Sequence, residues 1–151
     1  MKEQIYLAVY NATTLANVRD GLFTVFTNTR KEGQQKIGYV SGIITSEGRE
    51  NIPRNIDRLA KFTEHIRTQQ DFPVFSPTDV FYDELIDRLV ANNLKNDDFI
   101  QFWREVLGAE EKFITDIFMT PRWELSQGAT DEHDLSKKLG LTIHYIETER
   151  I

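Results

Sequence analysis

No cysteine occurs in the 151-residue chain, which excludes disulfides, thiolate nucleophiles and cysteine-based metal sites. No apolar run approaches the ~20 residues that a membrane helix needs. Residues 1–12 hold only a short apolar stretch. Glu3 and the lack of a cleavage-like site speak against a signal peptide. The cytoplasm is therefore the expected location. A surplus of positive charge is also missing. The formal net charge is -6, and an acidic protein of this size repels a phosphate backbone, so polymeric nucleic acid is not an expected partner. One local pocket can still oppose the global charge, which leaves small nucleotides open.

The composition is that of a folded chain. Hydrophobic residues make up 40%, and ten Phe, five Tyr and two Trp supply large apolar area. The length fits one domain. The pattern divides into an extension, residues 1–35, and an alternating β/α body, residues 36–151. In the extension, Ile5, Ala8, Val9, Ala12, Leu15 and Ala16 fall near helical spacing, which predicts one or two helices; IYLAVY, residues 5–10, is also β-prone.

In the body, residues 37–44, 72–75, 113–119 and 141–146 are short apolar segments that predict buried parallel strands. Helical stripes separate them. One follows Pro53, and others cover residues 79–93, 97–107 and about 129–139, the last stopped by Gly140. The alternation predicts an α/β fold, a three-layer Rossmann- or flavodoxin-like parallel sheet with helices on both faces, preceded by the mostly helical extension.

In such sheets ligands bind beyond the carboxyl ends of the strands. Two loops stand there: residues 41–49 (SGIITSEGR) after the first body strand, and residues 123–128 (WELSQG) before the last helix. Ser126 and Gly128 precede or open a helix N-terminus, where free N–H groups and the helix dipole favour an anion. Glu132 lies one turn beyond Gly128. A carboxylate so placed suits attack on an anomeric carbon. The competing explanation of Ser-x-Gly is a simple helix cap.

The stretch TDIFMTPRWELSQGATDEHDLSKKLGLTIHYIE resembles the C-terminal half of nucleoside 2-deoxyribosyltransferase-like proteins. It is especially similar to a small branch with a Trp-x-x-Ser-x-Gly-Ala-x-x-Glu pattern, matched by Trp123, Ser126, Gly128, Ala129 and Glu132. GYVSGII, the helix from Ile52, and PVFSP resemble that branch's N-terminal half, so the likeness spans about residues 36–147 and leaves out 1–35.

The resemblance implies an N-glycosidase or N-deoxyribosyltransferase with Glu132 as nucleophile. It implies that Tyr39 positions the Glu or the sugar, and that Gly42, Ile43 and Ile44 form a wall against base or sugar. Ser126, where nucleoside-specific members carry Asp, implies a nucleoside 5′-monophosphate over a free nucleoside. The position of the hydrolases' loop Arg is Thr45 here, with Arg49 in the same loop. Asp98 corresponds to a helper Asp. The family's small residues after the Glu are Asp134 and Ser136, and Asp134 adds negative charge. The resemblance also implies a homodimer or higher homo-oligomer.

No cofactor or metal is expected, since His65, His133 and His144 lack ligand spacing. Trp123 reads either as a base-stacking ring or as roof packing over the site. Arg49, Arg54 and Arg58 read as a phosphate contact or a solvated face. The alternative function is a nucleotide-binding or interaction protein that keeps the fold without turnover.

Overall fold

The computed structural model describes residues 1–147; the last four residues of the expected body domain lie outside it. The extension forms two helices, α1 (Lys2–Val9) and α2 (Leu15–Lys31), so residues 5–10 are helix and not strand. Thr14 caps α2 by accepting from the Asn17 N–H at 3.1 Å. Then follow β1 (Gly38–Ser41), α3 (Ile52–Gln69), β2 (Val74–Phe75), α4 (Pro77–Val80), α5 (Asp83–Val90), α6 (Asn96–Leu107), β3 (Asp116–Met119), α7 (Gln127–Leu139) and β4 (Thr142–Tyr145).

The single helix expected over residues 79–93 is two. A Ser76–Asp79 capping box with Pro77 starts α4. Phe81 then leaves helical geometry at φ −103° and ψ 86°. Its ring packs edge-on against Phe99 and Phe102, and the adjacent Tyr82 hydroxyl donates to the Tyr10 carbonyl at 2.7 Å. These tertiary contacts outweigh the continuous helical pattern. The strands are shorter than the apolar runs that contain them, because Ile43, Phe113 and Ile114 are buried by loops outside the hydrogen-bonded ladder.

All strand pairs are parallel, in the order β2-β1-β3-β4. Strand residues alternate between faces. Val40, Val74 and Phe118 pack with Leu59 and Ile66 of α3 in a small cluster. Tyr39, Phe75, Ile117 and Met119 belong to a larger core shared with α1, α2, α5, α6 and α7. The sheet is thus covered on both faces, by one helix on one side and the remaining long helices on the other. Residues 1–35 contribute Ile5, Val9, Val18, Leu22 and Phe26 to that larger core, each fully buried, so the extension and body share one interior.

Loops at the carboxyl ends of β1 and β3 are pinned together. Thr120 donates to the Ser41 carbonyl through its N–H (3.0 Å) and its hydroxyl (2.9 Å). This close approach requires glycine at position 42, where a Cβ would lie 2.3 Å from Thr120 Oγ1. The Gly42→Ala substitution should therefore cost about 1–3 kcal/mol through forced repacking, measurable by chemical denaturation; an unchanged stability would show that Thr120 yields freely.

Candidate functional site

Positions 39 and 41 are two apart on β1, so both side chains face the same side of the sheet. On α7, Ala129, Glu132, His133 and Ser136 form the buried stripe. The two sets meet at the carboxyl ends of the strands. The Tyr39 hydroxyl donates to Glu132 Oε1 at 2.5 Å, and the Ser41 hydroxyl donates to the same oxygen at 3.3 Å. Tyr39 is held laterally by Trp103 of α6, ring centres 4.7 Å apart, and by Phe75 at 5.4 Å. The anchor of the carboxylate is therefore rigid.

Oε1 is thus gripped by two hydroxyls, while Glu132 Oε2 accepts no hydrogen bond among the described residues. Glu132 is 8% exposed overall. Burial pushes its carboxyl pKa up to about 7; the hydrogen bonds from Tyr39 and Ser41 pull the other way, and the Asp131 charge adds to the rise. Desolvation wins because only one oxygen is compensated. The charge that Asp134 was expected to supply comes from Asp131: Asp134 is exposed and sits beside His133 Nδ1 at 3.2 Å. Burial, followed by the neighbouring Glu132 charge, raises the Tyr39 pKa well above the usual phenol value, so Tyr39 acts as a proton donor.

The N-terminus of α7 lies one turn from Glu132. Ser126 is its cap, with its hydroxyl accepting from the Ala129 N–H at 3.1 Å. The backbone N–H groups of Gln127 and Gly128 have no acceptor among the described residues. Beside Gly128 the nearest atom to an added Cβ would be Ser126 Oγ at 3.9 Å, so the space is open. Cap and anion site are thus compatible: the hydroxyl takes one N–H and leaves two.

The other expected residues are placed as follows. Ile43 is buried; Gly42 and Ile44 are half-buried, and the Ile44 carbonyl accepts from Asn55 Nδ2 at 3.2 Å. Thr45 is exposed in the turn closed by Gly48 N–H to Thr45 O at 3.3 Å. Arg49 is exposed at the start of a short 3-10 turn, residues 49–51. Across this loop Glu47 meets Arg122 at 3.7 Å and Arg54 at 3.5 Å. Trp123 stacks on His133 at 4.1 Å, and His133 Nε2 meets the Tyr145 hydroxyl at 2.7 Å, so the indole packs against α7. Asp98 stands exposed in the first turn of α6, its carboxylate accepting from the Lys95 N–H at 2.8 Å, with no hydrogen bond to Glu132 or Tyr39.

Two residues were not singled out for the roles they take. Ser41 holds Glu132, a part signalled only by its period-two relation to Tyr39. Asp131 both raises Glu132 and binds Arg104 of α6 through two hydrogen bonds, 2.9 and 2.6 Å. A cleft of about 500 Å³ runs between α6 and α7 and is lined by Ile100, Arg104, Gln127 and Asp131 among others, with Glu132 outside its lining. Among the described residues no group of three or more His, Asp or Glu is arranged to hold a metal, and no helix is long and apolar enough to cross a membrane. No family model matches the chain, and no curated protein or solved structure does either.

The raised carboxyl carries a stability consequence. Between about pH 4.5, its unfolded value, and about pH 7, the folded state holds the extra proton, so stability falls as pH rises through that window. The loss amounts to about 3 kcal/mol at most. Glu132→Gln should flatten this decline and be about 1–3 kcal/mol more stable than the wild type above pH 7, by denaturant titration at a series of pH values. Parallel curves for the two proteins would show that Glu132 is not desolvated.

Proposed function

We propose that this chain cleaves or transfers the N-glycosidic bond of a (deoxy)nucleoside 5′-monophosphate or nucleoside, with Glu132 as nucleophile. The observation that carries the reading is the asymmetric carboxylate: Oε1 is held by Tyr39 and Ser41 while Oε2 takes no hydrogen bond among the described residues, one turn from the free N–H groups of α7. The Trp123-to-Glu132 motif, which resembles the nucleoside 2-deoxyribosyltransferase-like pattern, supports it.

In this scheme Gln127 and Gly128 N–H groups take the 5′-phosphate, which fixes the sugar over Glu132. Oε2 attacks the anomeric carbon, the carbon–nitrogen bond breaks, and its electron pair leaves with the base. The resulting glycosyl ester is resolved by water, giving the sugar phosphate and restoring the carboxylate, or by a second base, giving a new nucleotide. Gly42, Ile43 and Ile44 form the apolar wall, and Thr45 and Arg49 sit at the mouth of the same loop. Tyr39 is a positioning residue: its hydroxyl keeps Oε1 from rotating and lowers the proton affinity of the carboxylate.

A second reading is a nucleotide-binding or interaction protein without turnover. It is favoured by one observation: the α6–α7 cleft is not lined by Glu132. Calorimetry separates the two readings, since binding without base release supports the second and absence of binding contradicts both.

Deoxynucleotides, ribonucleotides and nicotinamide nucleotides should be screened for free-base release. Glu132→Ala should reduce release by about 10³-fold or more; equal activity would reject the nucleophile. Because the ionised form attacks, activity should rise with pH through about 7. Tyr39→Phe removes a bond that favours the ionised form, so its rising limb should move to higher pH. An unmoved limb would show that Tyr39 does not act through Glu132.

A further inference from the structure

Helix α7 presents two adjacent carboxylates in different directions. Glu132 turns to the sheet, where Tyr39 and Ser41 hold it. Asp131 lies ~100° around the helix and lines the α6–α7 cleft. There the Arg104 guanidinium of α6 takes both of its oxygens, Nε to Oδ2 at 2.9 Å and Nη2 to Oδ1 at 2.6 Å. Two parallel bonds fix the fork in one orientation against the carboxylate.

The cleft is otherwise acidic. Asp97 and Asp134 line it beside Asp131, and Arg104 is the one cation among the described lining residues. Asp97 also draws on the guanidinium, more weakly than Asp131 does. The Arg104 side chain is half exposed, so the pair adds little to stability by itself. It matters more to Glu132, because a charge beside a buried carboxyl is less well screened than one in open water.

The surroundings of Glu132 leave the charge balance to this pair. β1 brings Tyr39 and Ser41, both neutral donors. On the same face β3 brings Ile117 and Met119, and β4 brings Tyr145, engaged with His133. Glu124, in the turn before α7, is exposed. His133 and Asp134 meet each other at 3.2 Å. Among the described residues, Asp131 is the charge that pushes the Glu132 carboxyl upward.

We propose that Arg104 is a positioning residue for the Glu132 centre: its guanidinium, bound to Asp131, offsets the negative charge beside the reacting carboxylate and so favours the ionised form. This role rests on the reading of Glu132 as the reacting group and adds α6 to the elements that serve it. Without Arg104 the Asp131 charge would act unopposed, and Glu132 would keep its proton to higher pH. Arg104 also follows Trp103, whose ring packs on Tyr39 at 4.7 Å. A merely structural part, holding α6 in place, therefore has to be separated from the electrostatic one.

Titration of the Glu132 carboxyl by ¹³C NMR separates them. In Arg104→Gln the midpoint should rise by about half a pH unit above the wild-type value of about 7. Arg104→Lys keeps the charge without the fork and should restore most of the wild-type midpoint. The double variant Arg104→Asp with Asp131→Arg keeps an ion pair between the helices but reverses it, so that a positive charge stands beside Glu132. Its midpoint should fall below the wild type by about half a pH unit or more. A pair that only aligns helices would leave that midpoint in place. An unmoved midpoint in Arg104→Gln, or a double variant that titrates like the wild type, overturns the proposal. Where the double variant does not fold, as read by circular dichroism, Asp131→Asn decides: a lowered midpoint supports the proposal and an unchanged one overturns it. The rising limb of base release should follow the same order of midpoints. Midpoints that move in a protein without base release would reject the glycosidic reading while supporting the role of Arg104.

Discussion

The unequal hydrogen bonding of one buried carboxylate organises this molecule. Glu132 sits where burial would ordinarily force a carboxyl to remain protonated, and two hydroxyls on a strand hold one of its oxygens in place. A buried carboxylate with one compensated oxygen is a poor stabiliser of a fold, since the desolvation of the charge exceeds what a pair of neutral donors returns. A leucine or glutamine would suit the interior better. Retaining a carboxylate there costs stability near neutral pH and leaves one oxygen without a donor among the described residues.

The surrounding architecture supplies rigidity. Tyr39 is clamped by Trp103 and Phe75, so an aromatic layer from β2 and α6 fixes the hydroxyl that grips Glu132. The Thr120 bonds to the Ser41 carbonyl tie the loop after β3 to the end of β1, and glycine at 42 permits that approach. Arg104 joined to Asp131 sets α6 against α7 from the solvent side; at an exposed surface such a pair aligns helices more than it stabilises them. On the far side, Trp123, His133 and Tyr145 stack and bond in series, linking the loop before α7 to the last strand.

Much of this was legible in the chain itself. Apolar runs and helical stripes identify every strand and the long helices, and Gly140, with φ 75°, ends α7 as its sequence position suggests. The break at Phe81 is not legible, because a continuous helical pattern cannot show that one aromatic is needed by a cluster from a later helix. The motif points to Glu132 and the wider resemblance to Tyr39, but the role of Ser41 emerges only when period-two geometry is laid against α7. The resemblance carries Asp98 over as a helper acid, and spacing does not show what the structure adds, that its carboxylate accepts from the Lys95 N–H as the N3 residue of the α6 cap. Trp123 left two readings open for the same reason, since stacking partners 10 residues away on a helix are not encoded locally.

The most direct measurement is the titration of Glu132 itself, followed by the ¹³C shift of its side-chain carboxyl. The structure predicts a midpoint near 7, displaced upward again when Tyr39 is changed to Phe. A midpoint at the ordinary value of about 4.5 would mean that the carboxylate is freely solvated, and the desolvated, hydroxyl-anchored centre described above would not exist.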